Sequence, residues 1–400
     1  MRRKVLKEKK YDVIIIGGAI MGSASAYFLS KNSDYNGKTL VIDRDLTFEF
    51  SSTARTNSCI RQQFSEPINV KISQFSASFI SQINKNYFKF GLPTQINLDN
   101  FGYLYLANTK KAADILYANQ AMQNSLGSGT YLLGNREASK AFPFMNFSDI
   151  LLCSHNRKDE GYFDGQLLFE FFKNYAVRHG VEYIQDEVID VILEGSLVKT
   201  VILKDGERIS CENLVNCAGT NAKGISKMVN CDLPVEARKR FSFVFDSEEK
   251  LDKKVPLTID PSGIHFRSDG ERFLAGCGPS EDFPVDRSDF SIEENIWEDK
   301  VWPVLANRIS VFDRIKLVNW WVGHYAFNTF DQNAIIGSHP DIKNFFFLNG
   351  FSGHGLQQSP AMGRGISELI IYNEFRTLDL STLEFERISK NEKVLEKSII

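Results

Sequence analysis

Three glycine residues near the amino terminus follow a run of β-branched residues, at a spacing that suits phosphate binding. Val13–Ile16 is unbroken apolar sequence, and Gly17, Gly18 and Gly22 come after it. Glycines at this point allow a tight turn from strand to helix and let a ligand approach the backbone. The free amides at the start of the following helix would then face a pyrophosphate. The pattern therefore predicts a strand, a turn and a helix that together bind phosphate.

The residues around this turn indicate a dinucleotide. In the pattern G-x-G-x-x-G the middle glycine is replaced by Ala19, the smallest side chain that can stand there. A second apolar strand, Thr39–Ile42, ends in Asp43, and Arg44 follows. An acid at the end of the second strand accepts hydrogen bonds from ribose hydroxyls. We count Asp43 and Arg44 among the candidate cofactor contacts.

Hydroxyl and guanidinium groups follow the second strand. Ser52, Thr53 and Arg55 lie in one short polar stretch, and Arg61 stands a little further along between uncharged neighbours. Such groups suit phosphates or the edge of a cofactor ring. A helix cap followed by surface arginines is the alternative, and we favour ligand binding, above all for Arg61.

Two later stretches repeat the order of strand, glycine and helix. Leu214–Gly219 ends an apolar strand in small residues, and Phe345–Leu348 leads into Gly353, His354 and Gly355. A helix that begins at the later loop can stabilise the negative charge of a reduced flavin ring. A nicotinamide enzyme has no use for this third loop, so a flavin is favoured. For Leu214–Gly219 an ordinary strand-to-helix turn is the alternative.

The composition argues against several classes of protein. The 400 residues carry 47 basic and 50 acidic side chains, a net charge of −3, so no nucleic-acid partner is expected. Six cysteines without a CxxC pair suit a reducing compartment, and we predict no metal site. No apolar stretch has the length of a transmembrane helix. The first ten residues lack the apolar segment of a signal peptide, which favours a cytoplasmic protein. They suit a solvated arm, with weak contact to an anionic membrane surface as the alternative.

Helical and strand patterns alternate along the rest of the chain. Short strands are predicted within Glu182–Val215, and Pro234–Asn319 is predicted to form an antiparallel sheet with a helix on it. Phe101–Ala107 begins a stretch that suits a second domain. The predicted helices are Asn69–Phe90, Lys110–Ser125, Asn135–Phe142, Gly161–Gly180 and Glu293–Ile309. The fold class is α/β, with a Rossmann-like domain and a discontinuous second domain on an antiparallel or mixed β-sheet.

Four stretches carry a more specific signature: VIIIGGAIMG with Asp43, LVNCAG, WWVGHYAFNTFDQNAIIG and NGFSGHGLQQSPAMGRG. Together they resemble the D-amino acid oxidase and monomeric sarcosine oxidase superfamily of FAD-dependent oxidoreductases. The phrases IRQQFS, NTFDQN and GFSGHGLQQ are most similar to one branch of it. That branch contains a mitochondrial FAD-dependent oxidoreductase domain protein linked to assembly of respiratory complex I, with bacterial relatives.

The resemblance implies FAD as the cofactor, extended across the first domain. The expected FAD contacts are Gly17, Gly18, Ala19, Gly22, Asp43, Arg44, Ser52, Thr53, Val188, Gly219, Gly353, His354, Gly355 and Leu356. Residues 10–95, 160–233 and 331–385 would form the FAD-binding domain, and residues 96–159 and 234–330 the substrate domain.

The resemblance also implies a reaction. Similar enzymes oxidise the C–N bond of an amino acid by hydride transfer to the flavin. A small sarcosine-like, N-methylated or cyclic secondary amine is the expected substrate. Arg61 would bind its carboxylate, and the other expected active-site residues are His324, Tyr325 and Gln357.

The chain departs from the sarcosine oxidases at three positions. Gln357 replaces a substrate-binding lysine, and Leu274 lies near the position of an oxygen-activating lysine. That loss favours a dehydrogenase with an electron acceptor other than oxygen. His324 replaces the cysteine that binds flavin covalently, and noncovalent FAD is favoured over an 8α link. A flavoprotein assembly or interaction factor for a respiratory complex, with little catalysis, is the alternative function.

Overall fold

The computed structural model describes residues 8–397, in which nineteen strands form three sheets and nine α-helices accompany them. The strands are β1 Lys10–Ile16, β2 Thr39–Asp43, β3 Cys59–Ile60, β4 Leu98–Asp99, β5 Tyr103–Ala107, β6 Tyr131–Gly134, β7 Leu152–Asn156, β8 Gly161–Phe163, β9 Glu182–Gln185, β10 Val188–Glu194, β11 Leu197–Leu203, β12 Arg208–Asn216, β13 Val235–Ser247, β14 Leu257–Ile259, β15 His265–Asp269, β16 Arg272–Cys277, β17 Ile315–Asn328, β18 Ile335–Ser338 and β19 Phe345–Asn349.

The helices are α1 Ile20–Lys31, α2 Pro67–Asn84, α3 Lys110–Ser125, α4 Asn135–Ala141, α5 Gly165–Arg178, α6 Ala222–Lys227, α7 Trp302–Arg308, α8 Gly355–Tyr372 and α9 Glu386–Ser389. Shorter helical turns are Tyr87–Phe90, Gly219–Asn221, Ser310–Asp313, Ser381–Leu383 and the π-helical turn Trp297–Val301. None of the helices within residues 8–397 is long and apolar enough to cross a bilayer. The expected amino-terminal arm falls largely on residues 1–7, outside the described residues.

The first sheet is built around β1. This strand lies between β2 and β12 and is parallel to both, with β9 beyond β2 and β19 beyond β12. Val13 and Ile15 pack against helices α1, α2, α5 and α8, whereas Ile14 and Ile16 face α6 and the β10–β11 hairpin. Because both faces are covered, the strand is apolar throughout, as a buried parallel strand requires. The predicted Rossmann-like arrangement is confirmed.

The second sheet runs in the order β17, β13, β16, β15, β14, β5, β7, β6. It takes strands from residues 103–156 and from residues 235–328, and its one parallel pair, β5 with β14, joins the two segments. Phe241, Phe243 and Phe245 on β13 pack with Trp297 and Phe312 on one side of it. The sheet is therefore mixed and discontinuous in sequence, and its other side is left to face a ligand. The domain boundaries themselves stay a prediction.

Some predicted elements are confirmed, and others differ from those observed. Lys110–Ser125 is a helix as predicted, and Thr109 Oγ1 caps it by accepting a hydrogen bond from Ala112 N. Gly161–Phe163 is a strand rather than the start of a helix, because Gly161 lies against Asp99, whose carbonyl oxygen would be 2.0 Å from an added Cβ. The helix predicted to end at Phe90 ends at Asn84.

The acidic helix predicted over residues 293–309 was also too long. It forms only at its end, as a π turn followed by α7, and the proline of α7 cannot donate the backbone hydrogen bond of a continuous helix.

Candidate active site

A cavity of about 640 Å³ joins the glycine turn after β1 to the glycine loop before α8. Most of the residues predicted to form the site line it. They are Gly17, Ala19, Asp43, Arg44, Ser52, Thr53, Arg61, Val188, Gly219, His324, Tyr325, Gly353, His354, Gly355, Leu356 and Gln357. Residues nearly 340 positions apart in sequence thus face one space. Their individual roles stay predictions.

The first glycine turn needs its glycines for steric reasons. Gly17 has a φ of +97°, and an added Cβ would lie 2.3 Å from the carbonyl oxygen of Cys217. A Cβ on Gly22 would lie 1.9 Å from the carbonyl oxygen of Gly17. Gly18 and Gly22 do not line the cavity. Their place is inside the turn, and the pyrophosphate contact expected of these two residues stays a prediction.

Asp43 fastens this turn to the end of β2. Its Oδ2 accepts a hydrogen bond from Gly18 N at 2.7 Å, and its Oδ1 accepts one from Asp45 N at 3.0 Å. Burial raises the pKa of the Asp43 carboxyl, although these two amides act in the opposite direction. The sequence predicted Asp43 as a ribose ligand and missed this internal role. The ribose contact stays a prediction.

The polar stretch after β2 ties three elements together. Thr53 Oγ1 accepts a hydrogen bond from Ile20 N at 3.2 Å, at the start of α1. Ser52 Oγ donates to the carbonyl oxygen of His324 on β17 at 2.6 Å. The two hydroxyls therefore link the glycine-turn end of the cavity to the second sheet.

Arg61 lies in the interior of this assembly, with 1% of its surface exposed. Its Nη2 donates to His354 Nε2 at 2.9 Å, and its guanidinium carbon lies 3.9 Å from the centre of the Phe64 ring. Burial, helped by the Arg61 charge, lowers the pKa of His354 well below its usual value. The imidazole is neutral and can accept this hydrogen bond.

Gln357 has a different contact from the expected one. Its Oε1 accepts a hydrogen bond from the backbone N–H of Arg61 at 2.9 Å. The side chain predicted to bind substrate therefore holds the main chain that presents Arg61, and its amide group lines the cavity.

Glu160 supports the same segment and was not predicted. It is 0% exposed, and its carboxylate accepts hydrogen bonds from Gln62 N at 2.7 Å, Gln63 N at 3.1 Å and Gln63 Nε2 at 2.9 Å. Burial raises its pKa to about 7. It stands in the short turn between β7 and β8, where no sequence pattern marks it. Only the fold brings it behind Arg61.

The histidine and tyrosine on β17 differ in their surroundings. His324 Nε2 lies 2.8 Å from the carbonyl oxygen of Asp289, to which it donates, and its ring stacks on Phe290. Burial lowers its pKa. The Tyr325 ring packs against Gly353, where an added Cβ would lie 2.4 Å from its Cζ. Gly353 therefore permits the loop to approach Tyr325.

The face of the second sheet supplies cavity residues that the sequence argument missed. Asn57 Oδ1 accepts a hydrogen bond from Ser242 Oγ at 3.0 Å, and Asn57 Nδ2 lies 3.0 Å from His265 Nε2. Burial lowers the pKa of His265 to about 4, and Arg267 and Arg240 contribute. Arg240 and Ser242, two apart on a predicted strand, were a readable signal for one polar face.

Leu274, near the position of the oxygen-activating lysine of the sarcosine oxidases, is buried on the neighbouring strand and does not line the cavity. His265, on the paired strand β15, is the basic residue that this hairpin brings to the site.

Comparison with known proteins agrees with this geometry. A family model described as FAD dependent oxidoreductase (DAO) matches residues 12–369. The chain belongs to this family. It is 33% identical to FAD-dependent oxidoreductase domain-containing protein 1 of Xenopus laevis, over 99% of this chain and 86% of that protein. Monomeric sarcosine oxidase of Arthrobacter is 22% identical, over 96% of this chain and 98% of that protein.

A crystal structure of L-proline dehydrogenase from P. horikoshii superposes with a TM-score of 0.83, at 23% identity, over 96% of this chain and 99% of that one. The protein is thus an FAD-dependent oxidoreductase of the DAO family, with FAD as its cofactor.

The cavity suits FAD. The backbone at Gly17 and Ala19 and the start of α1 face its first end, and Gly219 has a φ of +53° with no atom within 4 Å of where a Cβ would stand. That open space lets the cofactor pass close to the backbone. When bound, FAD would accept a hydride, that is two electrons and one proton, from the substrate. Among the described residues, no group of three or more His, Cys, Asp or Glu side chains could hold a metal ion.

Proposed function

We propose that this oxidoreductase acts on the C–N bond of a small amino acid with a secondary or N-methylated amine. Arg61 would bind the substrate carboxylate, and Tyr325 and Gln357 would limit its orientation. The chain's own contribution is then to position the substrate rather than to transfer protons. Sarcosine oxidase and proline dehydrogenase, to which the chain is similar, are named for substrates of this type.

One observation carries the proposal: Arg61, His324 and Tyr325 line the same open cavity as the glycine loop before α8. A flavoprotein that served only as an assembly or interaction factor would not need these three side chains beside that loop. FAD would occupy much of this cavity of about 640 Å³, and the three side chains would then lie at the end where its ring is expected. We therefore favour catalysis over a purely structural role in a respiratory complex.

The acceptor for the electrons is part of the same proposal. Leu274 is apolar, and no lysine lines the cavity within residues 8–397. We propose a dehydrogenase that passes its electrons to a carrier other than oxygen.

The test is anaerobic mixing of the yellow protein with N-methyl amino acids, proline and D-amino acids, followed by absorbance of the oxidised flavin. Bleaching by a secondary amino acid is the expected result. Arg61→Gln should slow bleaching by about a hundredfold, because a charged hydrogen bond to the carboxylate is lost. The reduced protein should then reoxidise faster with an artificial quinone than with air.

The matched control is Arg157→Gln, since Arg157 is exposed and does not line the cavity. This variant should bleach like the unmodified protein. Absence of bleaching with every compound in the panel would contradict oxidation of amino acids and would favour the assembly function. Equal loss in both variants would contradict the role of Arg61.

A further inference from the structure

Of the guanidinium groups that line the cavity, two act on Tyr325 near the second sheet. Arg61 follows β3, and Arg240 stands on β13. The guanidinium carbon of Arg240 lies 4.7 Å from the centre of the Tyr325 ring. Burial raises the pKa of Tyr325, and the charges of Arg240 and Arg61 both oppose that rise. Both positive charges therefore act on the same part of the cavity.

The acidic residues that line the cavity belong to its other end. They are Asp43, Asp45, Asp186 and Glu187. Asp43 ends β2 and Asp45 follows it, and the other two lie between β9 and β10, so all four lie at ends of strands of the first sheet. None of these carboxylates shares a strand or a loop with Arg61 or Arg240.

The acids that do lie near the two arginines are outside the cavity. Asp282 Oδ2 is 3.0 Å from Arg240 Nη2, and the Asp282 side chain is 38% exposed on the outer surface. Glu160 stands behind the Arg61 segment, where it accepts backbone hydrogen bonds. Neither lines the cavity. Within the described residues, the cavity wall beside Tyr325 therefore presents two guanidinium groups and no carboxylate.

The three histidines that line the cavity add no positive charge to that of the arginines, and burial lowers the pKa of one of them, His324. Burial, with nearby arginines, lowers the pKa of both His265 and His354. The rings are neutral at physiological pH and serve as hydrogen-bonding groups. The charge of this half of the cavity is set by Arg61 and Arg240.

Both guanidinium groups already donate to protein acceptors. A substrate with one carboxylate would add an anionic partner to one of them and leave the other facing its amine or side chain. A second anionic group on the substrate would pair with this other guanidinium, because a guanidinium can hold a carboxylate through two parallel hydrogen bonds. We propose that the substrate is a dicarboxylic secondary amino acid, whose first carboxylate binds Arg61 and whose second binds Arg240. This inference rests on the proposed oxidation of a secondary amino acid.

The first experiment compares substrates that differ only in the second charge. N-methylglutamate and N-methylglutamine have the same shape, and each is mixed anaerobically with the holoenzyme while flavin bleaching is followed. The ratio of the bleaching rate to the dissociation constant should be about tenfold or more higher for N-methylglutamate than for N-methylglutamine, as expected for a charge-assisted contact. Equal values, or a preference for the amide, would overturn the inference.

The second experiment needs no turnover. Glutarate and butyrate are titrated into the oxidised holoenzyme, and the shift of the flavin spectrum gives their dissociation constants. Glutarate should bind about tenfold more tightly. In Arg240→Gln the ratio of the two constants should fall towards one, and in Arg240→Lys an intermediate ratio should remain. Flavin content and thermal unfolding show that both variants are folded.

The matched control is Arg238→Gln. Arg238 stands on the same strand and also pairs with Asp282, but it does not line the cavity. This variant should keep the glutarate preference. Failure of all amino acids to bleach the flavin would refute the proposed function, whereas equal binding of glutarate and butyrate would refute the dicarboxylate inference, so the two failures are distinguishable.

Discussion

The two ends of the cavity are built in different ways. At the first end the ligand meets backbone: Gly17, Ala19 and Gly219 bring main chain to the surface of the cavity. At the second end it meets side chains, such as Arg240 and His265, from an antiparallel part of the other sheet. A backbone site depends on local conformation, whereas a side-chain site depends on strands that pair at a distance. The first suits a cofactor common to a whole family, and the second suits a substrate that differs between its members.

The largest effect is expected from a substitution of Gly17, at the end of the cavity where the ligand would meet main chain and no side chain fits. In Gly17→Ala the new Cβ would lie 2.3 Å from the Cys217 carbonyl oxygen, at the end of a neighbouring strand. We expect a loss of about 3 kcal/mol or more in the free energy of unfolding, together with loss of bound flavin. Denaturant titration and the visible absorbance per protein measure the two effects.

The matched control for this substitution is Gly180→Ala. Gly180 has a φ of +93°, close to that of Gly17, and nothing within 4 Å of an added Cβ. Only the strain of a positive φ remains, about 1–2 kcal/mol, and the flavin should stay bound. Equal losses in the two variants would mean that the turn is not built for close approach.

A smaller effect, which depends on pH, is expected at Glu160, behind the Arg61 segment at the end of the cavity that side chains form. Glu160 has a pKa of about 7 in the folded protein against 4.5 for an ordinary glutamate. The folded state holds this proton more tightly, so its contribution to stability is complete below about pH 4.5 and is lost as the pH rises towards 7. The unfolding free energy should fall by a few kcal/mol over that range, and Glu160→Gln should remove this part of the fall.

Denaturant titrations at about pH 5 and about pH 8 measure this difference. Glu170→Gln is the control, because Glu170 is exposed on α5 and should leave the pH dependence unchanged. A pH dependence that survives in Glu160→Gln would show that the segment with Arg61 does not rely on this carboxyl.

A still smaller effect is expected at Thr53, which binds the start of α1. Thr53→Val removes the oxygen that accepts from Ile20 N, so one amide at the start of α1 loses its partner. The expected cost is about 1 kcal/mol, with a modest rise in the dissociation constant of FAD. Thr53→Ser keeps the hydroxyl and should behave like the unmodified protein. Flavin fluorescence on dilution measures FAD release, and identical release from all three proteins would contradict the link.

The last test asks whether His324 is covalently bound to the flavin, and we expect that it is not. Its Nε2 already donates to Asp289, and its ring is fixed against Phe290. Acid precipitation should therefore leave the flavin in the supernatant. Yellow colour in the pellet would establish a covalent link and would make β17 part of the cofactor site.

The success of prediction from sequence follows the same division. The turn after β1, Asp43 and the loop before α8 are each encoded by a few adjacent residues, and all three line the cavity. Glu160 and Asn57 carry no local pattern, because their partners lie about 100 and 200 residues away. Gln357 was identified as a site residue, but its bond to the Arg61 main chain depends on tertiary packing alone.

Strand β12 is shared: its first half pairs with β11 and its second half, Leu214–Asn216, with β19 from the last quarter of the chain. During synthesis β19 and α8 must therefore leave the ribosome before the FAD-binding sheet is complete. A nascent chain halted before residue 345 would expose an unpaired strand edge and hold FAD poorly. Cofactor loading is thus expected only after β19 and α8 have been synthesised, and the chain should present this unpaired edge to chaperones until then.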